Sequence, residues 1–521
     1  MFAARSLLVL SAKVTTASVL YSCWNQRRNR FVACDSLLQI PRSQTYFSSG
    51  NAVPLQLSVS RTNERNIVYR IIRGCLRFGW IMLKMLPGLV VAPFAFFSSS
   101  VNRVWWKYAV WVFVSSGPTA IKFAQWVGTR PDIFPDSAVR ALSRLHSVSI
   151  SEYSLEDTEA DLNEAYGDNS WREWLELVND AKLIGSGAIA HVSRGRIISG
   201  PDQGREVAIK IVHRGVREIV EADLDIMKFI AWSASHIPQL SSLDLPGAVN
   251  EFGKFIKSQT NLLTEATNIR RFSTLFHGLG SEIKFPDVFL ERCTEDVLVE
   301  SFEPGITLGD VIRDGSTKLK RRVCDLGIQA FLKMLFIDNF VHGDLHPGNI
   351  LFQPTNGAVT ISELNRTGSC EGRVVLLDCG LIAQLGPRDE ENFLDLMHAV
   401  ITGKSMDVGK LMIERSRSPP DTVYMPDEFC RKVAYLVDST VTSKNLLFGA
   451  LEFGAVISQL LSIACQHRVR LETDFVSVAC ALIVLEGVGK QLDPRRNLLW
   501  EAEPYIIKQF LKRAKEKLIA R

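Results

Sequence analysis

No Cys-x-x-Cys pair occurs among the ten cysteines, and their spacing is irregular. That argues against both a zinc site and a disulfide framework, and fits reduced thiols in a reducing compartment. Charge of one sign is scarce as well. A net charge of +4 over 521 residues, with no block of like charges, makes nucleic acid a poor partner. No internal repeat is visible. Acidic residues are missing from the N-terminus, where none precedes Asp35.

What stands there instead is basic, hydroxylated and apolar: Arg5, Lys13, Arg27, Arg28 and Arg30 are scattered among Leu7-Leu8-Val9-Leu10-Ser11 and Thr15-Thr16-Ala17-Ser18. This is the composition of a mitochondrial transit peptide, expected over residues 1–45. A secretory signal is the competing reading, and bases on both sides of the short apolar run count against it. Residues 48–62 read as a polar linker. An apolar stretch follows within residues 66–115, and its segment from Phe78 to Phe97 has nearly the roughly 20 residues that a spanning helix requires. Lys84, Pro87 and Pro93 weaken it as a lipid-exposed helix, while Trp105-Trp106-Lys107-Tyr108 supplies aromatics suited to an interface. Membrane association is expected, with 78–97 as a candidate single span. The alternative is a buried helix pair packed on the catalytic domain.

The hydrophobic fraction of 46% can supply a large core, and the length exceeds one ordinary domain. Residues 117–175 read as helical, starting at Gly117-Pro118. From Ala181 short β-type runs appear, with a hairpin turn at Ser199-Gly200-Pro201-Asp202. Beyond Asp325 the pattern is helical, apart from a strand pair in NILFQ and GRVVLLD. Strands first and helices after predict an α+β arrangement of two lobes, here placed at 178–305 and 306–521.

Four motifs carry chemistry. Gly185-Ser186-Gly187-Ala188 lies in a G-x-G-x-x-A-x-V loop between strands, where glycines let backbone N–H groups face phosphates. Alone, such a turn is only a turn. It gains meaning from Val207-Ala208-Ile209-Lys210 on the next strand, where a kinase places the lysine that holds the α- and β-phosphates. That lysine needs a carboxylate, and Glu265 on the run FGKFIKSQTNLLTEATNIRRF, read as one helical stretch, is the candidate. The third motif is His342-Gly343-Asp344-Leu345-His346-Pro347-Gly348-Asn349, whose Asp and Asn stand five apart, the spacing of a catalytic Asp and a Mg²⁺-binding Asn. A zinc pair from His342 and His346 is disfavoured, because Pro347 and Gly348 would break the helix it requires. The fourth motif delivers Asp378 from an apolar strand to Asp378-Cys379-Gly380, replacing the usual D-F-G. Asp344, Asn349 and Asp378 together offer oxygen ligands for one or two Mg²⁺, with ATP as the nucleotide.

With these residues in place, the chain resembles the UbiB family of atypical kinases, also called aarF-domain-containing kinases, over about Gly117 to Pro494. HGDLHPGN is shared with aminoglycoside phosphotransferases and choline kinases and does not decide the family. The upstream segment does: Gly117-Pro118-Thr119-Ala120-Ile121-Lys122-Phe123-Ala124-Gln125, then Thr129-Arg130-Pro131-Asp132, is similar to the family's K-x-G-Q extension and its R-P-D. Glu265-Ala266-Thr267-Asn268 resembles its E-A-x-N, and Leu485-Glu486-Gly487 with Leu492-Asp493-Pro494 resembles its C-terminal helical pattern. The resemblance implies a bilobal protein-kinase-like fold with an N-terminal helical extension packed over the active site. Lys122 and Gln125 would lie there on a helix that blocks protein substrates. It further implies a mitochondrial, inner-membrane-associated protein working with membrane lipids, lipid precursors or coenzyme Q biosynthesis proteins. Ala124 stands where the family has Gly, and Gly-Ser-Gly replaces the alanine-rich loop of many members. Two other readings stay open: a nucleotide-gated scaffold of little turnover, and a small-molecule phosphotransferase of the choline-kinase type.

Overall fold

The computed structural model describes residues 67–519, except 96, 131–132, 135, 143–153, 179–184, 237–244, 278–281, 417–421, 443–452 and 497. The expected transit peptide, the polar linker, Pro131 and Asp132 lie outside the described residues.

Helices α1 (Ile67–Ala95) and α2 (Ser99–Ser115) form an antiparallel hairpin. Pro87 and Pro93 interrupt the hydrogen-bond ladder of α1. Side chains of α2 bond to carbonyls in that stretch: Tyr108 Oη donates to Lys84 O (2.6 Å) and Trp105 Nε1 to Gly88 O (2.8 Å). Leu76, Trp80, Leu83, Leu86, Val90 and Phe94 recur every three or four residues of α1, and all are exposed. Gly74–Phe94 is long and apolar enough to cross a membrane by length and composition, and none of its most apolar stretch is buried. That face of α1 is exposed, while Trp106, Val110, Phe113 and Val114 of α2 pack against the main core. Asp474–Leu492 passes the same test but is more than half buried.

The chain continues through α3 (Pro118–Gly128), α4 (Asp136–Leu142) and α5 (Leu155–Tyr166). Gly117, with φ +105°, turns the chain from α2 into α3, a conformation that favours glycine. Then comes an antiparallel sheet built from β1 (Leu175–Leu177), β2 (Gly185–Ser186), β3 (Ala190–Ile197), β4 (Glu206–Val212) and β6 (Val297–Ser301), in the order β1-β3-β4-β6 with β2 also on β3. The Ser199–Asp202 turn joins β3 to β4 as the sequence leads one to expect. Period-two alternation sorts the residues of β4. Val207, Ile209 and Ile211 pack with Trp171 and with Leu162 of α5, which leaves Ala208 and Lys210 on the opposite face.

Helices α6 (Val216–Ser235), α7 (Leu245–Gln259) and α8 (Leu262–Phe276) flank that opposite face. Here the chain departs from the sequence reading. The segment read as one helical run breaks at Thr260-Asn261, because the Asn261 Oδ1 accepts from the N–H groups of Leu263 and Thr264 and starts a new helix. The break places Glu265 in the first turn of α8.

The second part holds β5 (Ile283–Lys284), β7 (Ile306–Thr307), α9 (Leu308–Asp314), α10 (Thr317–Phe336), β8 (Val341–His342), β9 (Ile350–Pro354), α11 (Ile361–Thr367), β10 (Gly372–Leu376) and β11 (Ile382–Ala383). The strand pair read from NILFQ and GRVVLLD is β9 against β10, with Ile350 opposite Leu376. Helices α12 (Pro387–Ile401), α13 (Ser405–Glu414), α14 (Pro426–Thr442), α15 (Phe453–Gln466), α16 (Thr473–Leu492) and α17 (Leu498–Ile519) complete it. One continuous apolar core runs from Ala124 of α3 through α8 and α10 to Ile506 of α17. At its centre Phe272 stacks on Phe285, with ring centroids 4.8 Å apart. Mixed helix and sheet in two parts is the α+β architecture anticipated.

Asn261→Ala removes the cap that orients α8, with an expected loss of about 1 kcal/mol in unfolding free energy. Denaturant titration measures it, and an unchanged midpoint would show that the tertiary contacts of α8 fix its start without the cap.

Candidate functional site

Lys210, Glu265 and Asp378 meet in the cleft. The Lys210 Nζ donates to Glu265 Oε1 and Oε2, each at 2.9 Å, and to Asp378 Oδ1 at 2.9 Å. Each residue arrives for a local reason. Strand alternation turns Lys210 away from the apolar face of β4. The Asn261 cap directs Glu265 inward, where it is buried. Asp378 follows β10 with φ +55°, a left-handed kink that few residues other than glycine, Asn and Asp adopt readily. Gly380 is required by closeness, since a Cβ there would lie 3.2 Å from Glu265 Oε2 and 3.3 Å from Asp378 Oδ1.

Burial alone would lower the Lys210 ammonium pKa, but Asp378 and Glu265 overcome it and hold the value above the usual lysine range. Burial likewise pushes the Asp378 carboxyl up, yet the adjacent Lys210, with help from Lys122, drives it below the usual range. Glu265, more deeply enclosed, is raised by burial to about 7.

The catalytic loop is assembled by hydrogen bonds. The Asn349 Nδ2 donates to the Asp344 carbonyl (3.1 Å), which turns its Oδ1 away as a metal-ligand candidate. His342 is fully buried, and its Nδ1 accepts from the Asp344 N–H (3.1 Å). Its Nε2 therefore carries the proton of the neutral ring and donates to the Leu377 carbonyl (2.9 Å), tying the catalytic loop to the strand end that delivers Asp378. His342 ends β8 and His346 sits in a turn, so the two share no helix. Gly343 packs so closely on Leu381 that a Cβ would meet its Cγ at 2.8 Å.

The phosphate loop is aligned with the lysine through strand register. Gly185 faces Val192, and Val192 faces Lys210. Gly185 thus stands two strand spacings, about 10 Å, from the lysine backbone. Ser186 shares β2, Gly187 donates its N–H to Ala190 O (2.9 Å), and Ala188 lies in the turn between.

Lys122 and Gln125 lie on α3, both half-buried. Burial lowers the Lys122 pKa, and Asp344 and Asp378 oppose that shift most strongly, which sets the ammonium in the field of both catalytic carboxylates. Ala124 between them is completely buried in the core, so its methyl group is accommodated where the resembling family has Gly. Cys379 is also buried, and burial raises its thiol pKa; its side chain packs in the core.

Three residues gained roles that sequence reasoning had not assigned. The Asn268 Nδ2 donates to the Cys379 carbonyl (3.0 Å) and holds the Asp-Cys-Gly turn against α8. The His342 bridge is the second. Glu300 is the third: it pairs across β4 with Ala208, on the Lys210 face of the sheet. Burial, followed by the nearby Glu265, lifts its carboxyl to about 8.

The donor set fits ATP and Mg²⁺. Asp344, Asp378 and the Asn349 amide offer hard oxygens, which Mg²⁺ prefers. Three carboxylates (Glu265, Asp344, Asp378) face two ammonium groups (Lys122, Lys210), so the cluster favours an added cation. The fold and the arrangement of these residues are those of a kinase-like domain.

Comparison with known proteins gives the family. Residues 148–412 match the ABC1 atypical kinase-like domain and residues 445–497 the UbiB helical domain. A mitochondrial ABC1 family protein of Saccharomyces cerevisiae is 30% identical, over 95% of this chain and 88% of its own length. A mitochondrial ABC1 family protein of Schizosaccharomyces pombe is 29% identical, over 96% and 78%. A protein named probable protein kinase UbiB, from Aeromonas salmonicida, is 28% identical over 76% and 68%. Among solved structures, the complex of Rv3197 with erythromycin from Mycobacterium tuberculosis aligns with a TM-score of 0.46 at 19% identity, covering 72% of this chain and 90% of that one. The chain belongs to the ABC1/UbiB family of atypical kinases.

Glu300 supplies a pH test. Its carboxyl holds a proton to about pH 8 in the folded chain and loses it near 4.5 when unfolded. The native state therefore binds more protons in that window, and this group makes stability fall as pH rises through it. Glu300→Gln should flatten the decline in melting temperature between those pH values; an unaltered profile would show that Glu300 titrates normally.

Proposed function

We propose that this chain binds ATP with Mg²⁺ and acts as an atypical kinase or ATPase at the mitochondrial inner membrane, in coenzyme Q or lipid metabolism. The observation that carries the nucleotide reading is the convergence of Lys210, Glu265 and Asp378 at 2.9 Å from three separate elements. In that reading Lys210 and Glu265 clamp the α- and β-phosphates, and Asn349 and Asp378 hold Mg²⁺. Asp344 orients the acceptor hydroxyl or a water, and Gly185 to Ala188 cover the phosphates. Mg²⁺, when bound, neutralises charge on the transferring phosphoryl group. The chain's own residues position it and exclude competing water.

The mitochondrial part is supported by the two fungal relatives named as mitochondrial, and the ubiquinone part by the bacterial relatives named UbiB. The membrane part is supported by the exposed apolar face of α1 and by charge. Between Glu64 and Asp132 there is no acidic residue, while Arg70, Arg73, Arg77, Lys84, Arg103, Lys107, Lys122 and Arg130 fall in that interval. A segment that is apolar and exclusively basic suits an anionic lipid surface.

A scaffold of slow turnover is the second reading, and the position of Lys122 favours it. An ammonium held near Asp344 competes for the carboxylate that would orient the acceptor.

Asp378→Asn should abolish Mg²⁺-dependent nucleotide binding, read by titration of the purified full chain with ATP; unchanged binding would remove Asp378 from the metal site. Asp344→Asn should keep nucleotide binding while lowering hydrolysis in the presence of lipid vesicles by at least about a hundredfold. Equal hydrolysis by the variant and the parent would leave the scaffold reading in place. Lys122→Ala should change hydrolysis or permit autophosphorylation, and no change in either would mean that α3 does not restrict the site.

A further inference from the structure

A second cluster of metal-ligand side chains lies outside the nucleotide site, between α5 and the sheet that carries the phosphate loop. Asp161 of α5 and His191 of β3 are buried, with relative exposures of 2% and 0%, and His213 follows β4 half-buried. The two imidazoles stack with centroids 5.3 Å apart and planes at 14°. One ligand atom from each of the three residues lies within 4.8 Å of the others, and the His191 Nδ1 is 4.0 Å from Asp161 Oδ2.

The hydrogen bonds around the cluster decide which nitrogens face it. The His213 Nε2 is 3.0 Å from the Gly187 carbonyl, which only accepts, so that nitrogen carries the proton and Nδ1 carries the lone pair of the neutral ring. The His191 Nε2 lies 3.2 Å from Thr158 Oγ1, which also reaches Ser154 O (3.2 Å) and Ser193 Oγ (3.4 Å); with the hydroxyl proton given to either of these, His191 presents Nδ1 as its lone-pair nitrogen. Metal-bound histidines characteristically donate the outer N–H to a carbonyl or another oxygen in this way. Arg214 Nε pairs with Asp161 Oδ1 at 2.7 Å, while the other carboxylate oxygen lies towards His191.

We propose that Asp161, His191 and His213 form a binding site for a borderline transition cation, Zn²⁺ in the first instance, distinct from the Mg²⁺ site. Two imidazoles and one carboxylate are a ligand set that Zn²⁺ takes, leaving a fourth position for water. Zn–N and Zn–O bonds of about 2.0–2.2 Å place tetrahedral ligand atoms about 3.3–3.5 Å apart, so the side chains close by roughly 1 Å and the imidazoles tilt out of their near-parallel stack to aim both Nδ1 lone pairs at the ion. The ion would join α5 to β3 and β4, and through His213 and Gly187 it would brace the phosphate loop.

The test uses the full chain, stripped with chelator, loaded with Zn²⁺ or Co²⁺ and passed through gel filtration before metal analysis. The expected result is about one ion per chain, with affinity reduced by at least about tenfold in His213→Gln and Asp161→Asn. Asp378→Asn should retain the ion, which separates this site from the nucleotide centre. Should the buried variants fail to fold, the parent's Co²⁺ spectrum decides: d–d bands without a thiolate charge-transfer band support nitrogen and oxygen ligation. Overturning results are no retained ion, a charge-transfer band that places the metal on cysteine, or folded variants that retain as much metal as the parent.

Discussion

Everything in the cleft depends on one buried ammonium shared by two carboxylates. Lys210 bonds Glu265 and Asp378 at the same distance, and the three come from β4, α8 and the turn after β10. A cluster of this kind is a poor source of net stability, because desolvating three charges offsets most of their attraction. Its value is geometric. Removing Lys210 leaves two carboxylates without their shared counter-ion, so the ammonium holds the helix, the strand and the turn to one relative arrangement. Gly380 permits the close approach, and Asn268 locks the turn by bonding the Cys379 carbonyl. These neighbours make sense only because the ammonium must be reached from both sides.

The same constraint explains the extension. With three carboxylates around it, the cleft attracts cations that can be desolvated there, and Lys122 on α3 adds a second ammonium to that of Lys210. Its helix is tied to the apolar hairpin through Gly117, and the Arg77 guanidinium of α1 bonds both the Ser116 carbonyl and Asp223 of α6. The lysine, the hairpin and α6 therefore form one connected set. The hairpin contacts α3 and α6 directly.

Much of this was legible in the sequence, and the reason is local. The Asp344–Asn349 spacing, the apolar strands ending in Lys210 and Asp378, and the glycine pair of the loop are each written within ten residues. Glu265 was legible only as the carboxylate Lys210 requires and through the resemblance of Glu265-Ala266-Thr267-Asn268 to E-A-x-N. The break at Asn261 that orients it was missed because the apolar periodicity continues across Thr260, and a single Asn carries the signal. His342 was weighed as a metal ligand and rejected, but its bridge to Leu377 spans 35 positions and leaves no mark in composition. Glu300 was invisible for another reason. A glutamate in an apolar strand looks like a solvated edge until the register puts it opposite Ala208.

The histidines of the phosphate-loop sheet show where pairwise reading stops. His191 is one position after a strand-like alanine, and His213 follows the strand that holds Lys210, so each alone is unremarkable. Only the register of β3 on β4, with His191 facing Ile211, brings the rings into a stack. Only α5, itself part of the extension, supplies Asp161 beneath them. A loop of two glycines gains freedom to close over phosphates, and that same freedom costs order when no nucleotide is bound. The contact from His213 to the Gly187 carbonyl restrains one of those glycines. The extension thereby reaches the cleft and its glycine loop twice: through Lys122 on α3, and through Asp161 on α5 beside the paired imidazoles.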